Sequence, residues 1–272
     1  MKYKLIAFDL DGTLLRDLHS ISDENYAALK MLFEMGVVLV PTTGRSLYEI
    51  PETVRNCPYF GYAITSGGAC TYDLKTGKTI SSALLSKKES NILFDLLDEY
   101  DNVTMTHYEG DSYVDITQNE EFYDRCRVTK GFKAFIPIYD VAVDSFREKC
   151  KKMDGVELTC TFFATDEDKE EFKRRVKASG NFTVAASARD NLEVLSGKAD
   201  KGVTVLELAA SLGISADETI GVGDSINDLA MLKAVGLGIA MENAVPQLKE
   251  VADKIGCKCT EHIAKDILKN YF

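Results

Sequence analysis

The amino-acid sequence predicts an α/β protein: a doubly wound, parallel-sheet core interrupted by an inserted α+β domain. Near both ends of the chain, short apolar segments typical of buried strands alternate with amphipathic helical patterns. Between them, short alternating stretches mix with helical patterns, which indicates a separate module. We therefore place a discontinuous core at residues 1–82 and 188–272, and the inserted domain at residues 83–187.

The first predicted strand ends in two carboxylates. Residues 5–8, Leu-Ile-Ala-Phe, suit a strand buried on both faces of a parallel sheet. Asp9 and Asp11 follow it, two positions apart, and Gly12 and Thr13 come next. Sheets of this class place their chemistry at the carboxyl edge of the strands, and paired carboxylates there repel each other and attract a hard cation. This strand end is therefore the first candidate site.

The rest of the first core segment continues the strand–helix–strand pattern. Ser22 suits a helix N-cap, with Asp23 and Glu24 in the first turn, and Gly36 is a favourable stop. After this helix we expect strands at 37–40 and 62–65, a helix at 46–56 and a hairpin at 70–81.

The same periodicities assign the remaining elements. In the inserted region we expect helices at 86–100, 119–128, 140–152 and 166–179, alternating stretches at 103–107, 111–116 and 132–138, and strands at 156–163, 182–186 and 191–195. In the second core segment we expect a helix opening at Asp200, strands at 219–222 and 236–240, and helices at 226–234 and 260–270.

Composition excludes several function classes. The chain of 272 residues carries 32 Lys and Arg against 43 Asp and Glu, a net charge of −11, which argues against general binding to nucleic acid or anionic membranes. No run approaches the roughly 18 apolar residues of a membrane span, and no signal sequence is recognisable. Seven scattered cysteines are typical of reduced thiols. We expect a cytoplasmic protein, monomeric or weakly homodimeric.

Four clusters of polar residues fall at predicted strand ends or helix starts. They are Asp9, Asp11 and Thr13; Thr42-Thr43-Gly44-Arg45; Lys201; and Gly223-Asp224-Ser225-Ile226-Asn227-Asp228. Each cluster alone has an ordinary structural explanation, since threonine and aspartate cap helices and an isolated lysine is usually solvated.

Together and in this order, the four clusters resemble the motifs of the haloacid dehalogenase-like (HAD) phosphatase superfamily. The position, size and mixed pattern of the insertion resemble the type IIB cap, so the chain is most similar to the Cof-like sugar-phosphate phosphatases. The segment 236–244, Gly-Leu-Gly-Ile-Ala-Met-Glu-Asn-Ala, also resembles that subfamily. The resemblance implies a Rossmann-like HAD core with an inserted cap and an Mg²⁺-dependent phosphatase. Its substrates would be small phosphorylated metabolites, either sugar phosphates or phosphorylated cofactors.

The resemblance also implies residue roles. Asp9 would attack phosphorus and form an aspartyl-phosphate, while Asp11 would protonate the leaving group and then activate water. Thr43 would hydrogen-bond a phosphoryl oxygen, with Thr42 the weaker candidate, and Lys201 would neutralise charge in the transition state. The residues expected to contact substrate are Thr13, Gly44, Arg45, Gly67 and Gly68.

For Mg²⁺, the resemblance implies the Asp9 carboxylate, the Asp11 backbone carbonyl and Asp224 as ligands. Asn227 and Asp228 would complete the metal site by orienting waters or Lys201. The chain departs from the subfamily at Gly67, where many members have asparagine. Gly67 therefore offers the leaving group no side chain.

Two other functions fit the same motifs. A phosphosugar mutase would use the same nucleophile and the same type of cap, and it would return the phosphate to the sugar. A non-catalytic metabolite-binding protein could keep the fold, although the intact Asp9, Asp11, Lys201 and Asp224 argue against it. Product analysis separates a mutase from a phosphatase.

Overall fold

The structure, a computed structural model, describes residues 2–15, 17, 19–187 and 190–272. The strands are β1 Leu5–Phe8, β2 Val38–Pro41, β3 Tyr62–Thr65, β4 Cys70–Asp73, β5 Lys78–Ser82, β6 Asn102–Tyr108, β7 Asp111–Asp115, β8 Val141–Val143, β9 Leu158–Phe163, β10 Phe182–Ala185, β11 Asn191–Ser196, β12 Thr219–Gly223, β13 Leu237–Ala240 and β14 Lys254–Ile255. The α-helices are α1 Asp23–Glu34, α2 Glu52–Arg55, α3 Lys87–Leu97, α4 Glu120–Arg125, α5 Lys130–Tyr139, α6 Phe146–Lys152, α7 Asp166–Ser179, α8 Lys201–Ser211, α9 Leu229–Ala234, α10 Pro246–Lys249 and α11 Ile263–Tyr271.

The chain divides into two compact units. The first contains Met1–Gly44, Ile50–Ser82 and Asp200–Phe272, and the second contains Arg45–Glu49 and Ala83–Ala199. This division differs from the predicted boundaries in two places. The strand predicted at 191–195 lies on the core side of the predicted boundary, but β11 belongs to the second unit, as its place among the elements of the inserted region indicated, because it pairs with β9 and β10. The segment 45–49 also groups with the second unit, and the predicted boundary residue 188 lies outside the described residues.

A parallel sheet forms the centre of the first unit, which confirms the predicted fold class. Its five strands lie in the order β14-β13-β12-β1-β2, and each neighbouring pair is parallel. The four residues of β1 are fully buried, as the apolar run predicts for a central parallel strand. Since β1 pairs with β12, the chain following Phe8 emerges beside the chain following Val222.

The first predicted helix illustrates how the sequence determines an element of this unit. The Ser22 side chain accepts a hydrogen bond from the Asn25 backbone N–H at 3.3 Å, and Asp23 and Glu24 occupy the first turn. Ala28, Leu29 and Leu32 are buried at helical spacing. A separate antiparallel sheet, β3-β4-β5, contains the predicted hairpin.

The second unit is built on a six-stranded sheet in the order β10-β11-β9-β6-β7-β8. The pairs are antiparallel except β7 with β8. Helices α3, α6 and α7 contribute to a core of its own, in which Phe94, Phe163 and Phe172 are fully buried. The inserted region is therefore an α+β module, as predicted.

Three predicted elements differ in the structure. The helix predicted at 140–152 is confined to α6, because Val141–Val143 form strand β8 parallel to β7, a conformation that β-branched valines favour. The stretch 132–138, predicted as alternating, is part of helix α5, whose N-cap Thr129 accepts a hydrogen bond from the Phe132 N–H at 3.4 Å. The Thr129 cap favours the helix, whereas Pro137, which lies inside α5, is unfavourable in a helix interior as well as in a sheet. The predicted helix at 46–56 is reduced to α2, which begins after Pro51, a residue that interrupts helix interiors and suits helix starts.

The described residues contain no helix with the length and apolar character that crossing a bilayer requires. All seven cysteines are free thiols, and five of them are buried.

Candidate active site

Asp9 lies directly after β1, at the carboxyl edge of the parallel sheet. Its N–H donates to the Val222 carbonyl at 2.9 Å, which continues the ladder with β12, and its side chain is almost fully buried. The chain then forms a wide turn in which the Leu15 N–H donates to the Leu10 carbonyl at 2.9 Å. Asp11 lies in this turn and is half-buried.

Gly12 is required by the close approach of Asp224. Its φ of 76° is a left-handed conformation, and a Cβ at this position would lie 2.2 Å from Asp224 Oδ2. Only glycine therefore allows the carboxylate that follows β12 to approach the turn that follows β1.

Lys201 brings a cation into this carboxylate cluster. It is the first residue of α8, whose N-cap Asp200 accepts a hydrogen bond from the Val203 N–H at 2.8 Å. The Lys201 side chain is fully buried, and its Nζ donates to Asp9 Oδ1 at 2.8 Å and to Asp228 Oδ1 at 2.6 Å.

Asp228 supports both Lys201 and the turn after β12. While Oδ1 accepts from Lys201, Oδ2 accepts from the backbone N–H groups of Asp224 at 3.0 Å and Ser225 at 3.1 Å. Gly223 makes room for this arrangement, since a Cβ there would lie 2.4 Å from Asp228 Cγ. Both oxygens of Asp228 therefore already accept hydrogen bonds.

The protonation of the cluster follows from burial and mutual repulsion. Burial, together with the Asp228 charge, raises the pKa of Asp9 well above its usual value, and Lys201 opposes this shift. Burial and Asp228 likewise raise the pKa of Asp224 to about 7. Burial alone would lower the pKa of Lys201, but the carboxylates of Asp228 and Asp9 raise it. Lys201 is therefore charged at neutral pH.

The donor set fits a hard divalent cation. Asp9, Asp224 and Asp228 can each offer one carboxylate oxygen, with these atoms within 4.8 Å of one another. Three carboxylates face one ammonium group, so a cation would relieve repulsion that Lys201 alone cannot neutralise. Oxygen ligands are those that Mg²⁺ prefers. The Asn227 side-chain oxygen accepts a hydrogen bond from Ser225 Oγ at 2.6 Å.

The ends of β2 and β1 carry the threonines of the predicted site. Thr42 Oγ1 donates to the Val40 carbonyl at 3.2 Å, so its hydroxyl bonds its own strand. Thr43 is buried, and its N–H donates to the Ile64 carbonyl at 2.9 Å. The Thr13 hydroxyl is buried and has no hydrogen-bond partner among the described residues. A buried hydroxyl without a partner suits an anion-binding site.

Gly67 and Gly68 lie in a left-handed turn against the start of α8. The Gly67 N–H donates to the Thr43 carbonyl at 3.0 Å, and Thr204 Oγ1 donates to the Gly68 carbonyl at 2.7 Å. A Cβ at Gly68 would lie 2.4 Å from the Asp200 carbonyl carbon. Gly68 thus lets this turn pack on the helix start that carries Lys201, a structural role that the sequence did not indicate.

Gly44 and Arg45 lie where the chain passes from the first unit to the second. In the second unit, the Arg45 guanidinium stacks 4.7 Å from the Phe135 ring centroid and 5.7 Å from that of Tyr139. Its Nη1 also donates to the Glu49 carbonyl at 2.9 Å. The structure therefore groups Arg45 with the second unit.

Asn243 is a site neighbour that sequence reasoning did not single out. Its Nδ2 donates to the Gly12 carbonyl at 2.9 Å and to Asp224 Oδ2 at 3.3 Å. The only sequence signal for it is the segment 236–244, which resembles the subfamily but carries no local chemistry.

Comparison with known proteins identifies the family. A family model described as haloacid dehalogenase-like hydrolase matches residues 6–264, nearly the whole chain. The chain belongs to this family. The predicted resemblance is thus confirmed, and the chain is a hydrolase whose curated relatives are named phosphatases.

Two relatives and one solved structure illustrate the likeness. Phosphatase YwpJ of Bacillus subtilis (strain 168) is 30% identical, over 98% of this chain and 99% of its own length. The 5-amino-6-(5-phospho-D-ribitylamino)uracil phosphatase YwtE of the same strain is 31% identical, over 91% of this chain and 90% of its own. The HAD subclass IIB sugar phosphatase BT4131 has a TM-score of 0.83 at 22% identity, covering 97% of each chain. That last likeness is one of fold, and it agrees with the predicted type IIB cap.

Proposed function

We propose that this hydrolase cleaves phosphate monoesters of small metabolites in an Mg²⁺-dependent reaction, with Asp9 as the nucleophile. The observation that carries the proposal is the contact of the buried Asp9 carboxylate with Lys201 Nζ at 2.8 Å, beside Asp224 and Asp228. A carboxylate nucleophile needs the charge of the phosphoryl group offset before it can approach, and the cluster supplies the residues for this.

In the first step, an Asp9 oxygen attacks phosphorus and forms the aspartyl-phosphate, while the bond from phosphorus to the leaving oxygen breaks. Asp11 donates its proton to that oxygen, so the leaving group departs as a neutral alcohol. Asp11 is two residues from the nucleophile, in the turn that follows β1.

In the second step, a water molecule transfers a proton to Asp11 and attacks phosphorus. The bond between phosphorus and Asp9 breaks, inorganic phosphate leaves, and both carboxyl groups return to their starting states. Lys201 stabilises the negative charge that is shared between Asp9 and the phosphoryl oxygens in both steps. Thr13 and Thr43 provide hydroxyl donors for these oxygens.

Asp9, Asp224 and the Asp11 backbone carbonyl would hold Mg²⁺, with Asn227 and Asp228 orienting the groups around it. When bound, the ion supplies positive charge to the phosphoryl oxygens. Its presence would also favour the ionised form of Asp9, whose pKa burial raises in the metal-free protein.

The substrates we propose are sugar phosphates or phosphorylated cofactors. The relative YwtE is named for a phosphorylated ribityl compound, and BT4131 for sugar phosphates. Both are phosphate esters of small polyhydroxylated molecules, which supports this class without selecting one member of it.

The decisive experiment measures phosphate release from a panel of phosphorylated metabolites, in Mg²⁺ and in EDTA. We expect Mg²⁺-dependent release by the wild type, none by Asp9→Asn, and a loss of about 10²–10⁴-fold for Asp11→Asn. Glu242→Gln, a change at an exposed residue that pairs with Lys258, is the control. Near-normal release by Asp9→Asn would overturn the proposal, and transfer of phosphate to a second position of a sugar, without release, would identify a mutase.

A further inference from the structure

Asn243 connects three segments of the first unit that are distant in sequence. Its side-chain Oδ1 accepts a hydrogen bond from the Cys259 backbone N–H at 2.8 Å. Its Nδ2 donates to the Gly12 carbonyl and to Asp224 Oδ2. One carboxamide therefore bridges the turn after β1, the carboxylate after β12 and the segment before α11.

The chemistry of the partners determines the orientation of this carboxamide. A backbone N–H can only donate, so the group facing Cys259 must be the amide oxygen. The Gly12 carbonyl can only accept, so the NH₂ group faces Gly12 and, beside it, Asp224 Oδ2. The two hydrogens of the NH₂ group match these two acceptors, and a flipped amide would lose all three bonds.

Asn243 makes these hydrogen bonds where the turn after β1 lies close to Asp224, and both of these segments are candidates for binding the metal. A Cβ at Gly12 would lie 2.2 Å from Asp224 Oδ2, so little space separates the turn from the carboxylate. The Gly12 carbonyl belongs to the residue after Asp11, whose own carbonyl is a proposed ligand. By holding both Gly12 and Asp224, Asn243 sets the spacing between the two sides of the proposed metal site.

We infer that Asn243 is a positioning residue for the Mg²⁺ site: it holds Asp224 and the Asp11–Gly12 turn at the separation the ion requires, and Cys259 holds Asn243. This inference rests on the proposed Mg²⁺-dependent function. Asn243 is not itself proposed as a ligand, because its oxygen is directed to Cys259 and its nitrogen carries no free electron pair for a metal. Partners of this kind, one step removed from the ion, typically change metal affinity 10–100-fold when replaced.

The test measures Mg²⁺ binding directly, by calorimetric titration of the metal-free protein without substrate. Asn243→Ala removes all three hydrogen bonds, and Asn243→Leu removes them while keeping similar volume. We expect both variants to bind Mg²⁺ about tenfold more weakly than the wild type. Glu242 is the neighbouring residue and is exposed, so Glu242→Gln should bind Mg²⁺ with an affinity within twofold of that of the wild type.

A second readout separates positioning from a merely structural role. If Asn243 positions the site, the Mg²⁺ concentration for half-maximal phosphate release should rise about tenfold in both variants. If Asn243 only stabilises the fold, the thermal midpoint should fall while Mg²⁺ affinity stays within twofold of the wild type, and that result would overturn the inference.

The inference and the proposed function fail in distinguishable ways. Weakened Mg²⁺ binding in both variants supports the inference even if the wild type releases phosphate from no compound tested. Mg²⁺-dependent phosphatase activity with unchanged metal affinity in both variants overturns the inference and leaves the function standing. A wild type that binds no Mg²⁺ in the titration overturns the inference outright.

Discussion

Lys201 holds its ammonium group in a fully buried position between the carboxylates of Asp9 and Asp228. Replacing it with methionine would leave two buried carboxyl groups without their cation. Breaking one partner of a buried ion pair typically costs about 3–5 kcal/mol. We therefore predict that Lys201→Met lowers the free energy of unfolding by about that amount, measured by denaturant titration in EDTA at pH 7.

Lys4 provides the matched control for this prediction. It pairs with Glu218 at 2.5 Å, but its side chain is 47% exposed. An exposed pair contributes roughly 0–1 kcal/mol, so Lys4→Met should change the free energy of unfolding by no more than that. If the two variants lost the same free energy of unfolding, the buried ion pairs of Lys201 would contribute no more to stability than the exposed pair of Lys4, and the prediction would be wrong.

At the residue scale, the sequence predicted the polar groups that follow strands, because strand order brings their carboxyl ends together. Asp9 and Asp224 lie beside each other for that reason, since β1 pairs with β12. Asn243 could not be predicted in the same way. It is 231 positions from Gly12, and its contact depends on how the loop after β13 folds back. Such a contact has no periodicity or motif spacing to indicate it.

At the element scale, the start of α8 depends on the turn at Gly68. Its φ is 103°, and a Cβ at this position would lie 2.4 Å from the Asp200 carbonyl carbon, so there is no room for a side chain. We predict that Gly68→Ala shifts the start of α8 and displaces Lys201. Because misplacement of a catalytic group by about 1 Å can reduce the rate about 10²-fold, kcat for phosphate release should fall by roughly that factor.

Gly36→Ala separates the effect of displacement from that of backbone strain. Gly36 has a similar φ of 85°, but nothing lies within 4 Å of its hypothetical Cβ. This variant should lose about 1–2 kcal/mol of stability through its left-handed conformation and keep its kcat. A similar loss of kcat in both variants would contradict the role assigned to Gly68.

Asp140, which follows α5, makes the stability of the second unit depend on pH. Burial and the Glu49 charge raise its pKa to about 8, whereas the unfolded chain should titrate near 4. Between these values the folded state binds more protons than the unfolded state, so stability should fall as pH rises from about 4 to 8. In Asp140→Asn, stability should depend less on pH over this range. The measurement is the thermal midpoint of the second unit's transition in the full-length protein at several pH values. An unchanged slope would contradict the assignment.

Helix α5 shows the limit of periodicity for short elements. The run Phe132-Lys133-Ala134 alternates as a strand would, yet Phe132 and Phe135 are three positions apart, as on one face of a helix. The Thr129 cap favours the helix, although Pro137 lies inside it. The structure of a stretch this short depends on such caps more than on its own pattern.

At the scale of the whole molecule, each unit has its own hydrophobic core. The first core includes Phe8 and Leu29, and the second includes Phe94 and Phe172. The sequence predicted this two-part organisation from the change in pattern near residue 83. It could not assign 45–49 to the second unit, because that assignment depends on tertiary contacts such as the Tyr48 N–H to Gly110 carbonyl bond at 2.9 Å.

Two cores predict that the units lose structure separately. Phe172→Ala removes a fully buried ring from the second core, which should cost about 3–5 kcal/mol in that unit. Hydrogen exchange followed by mass spectrometry should then show faster exchange in β6, β9 and β11, with β1 and β12 changed little. Regions of a protein that form separate cooperative units open with separate free energies, so damage to one core need not lower protection in the other.

Leu29→Ala is the reciprocal variant, since Leu29 is fully buried in the first core. It should cost about 2–5 kcal/mol there and speed exchange in β1 and β2 while leaving β9 protected. If each substitution instead accelerated exchange equally in both sheets, the two units would unfold as one cooperative block. If each variant instead speeds hydrogen exchange only in its own unit, opening of the second unit leaves the carboxylate cluster folded, because Asp9, Lys201 and Asp224 belong to the first unit.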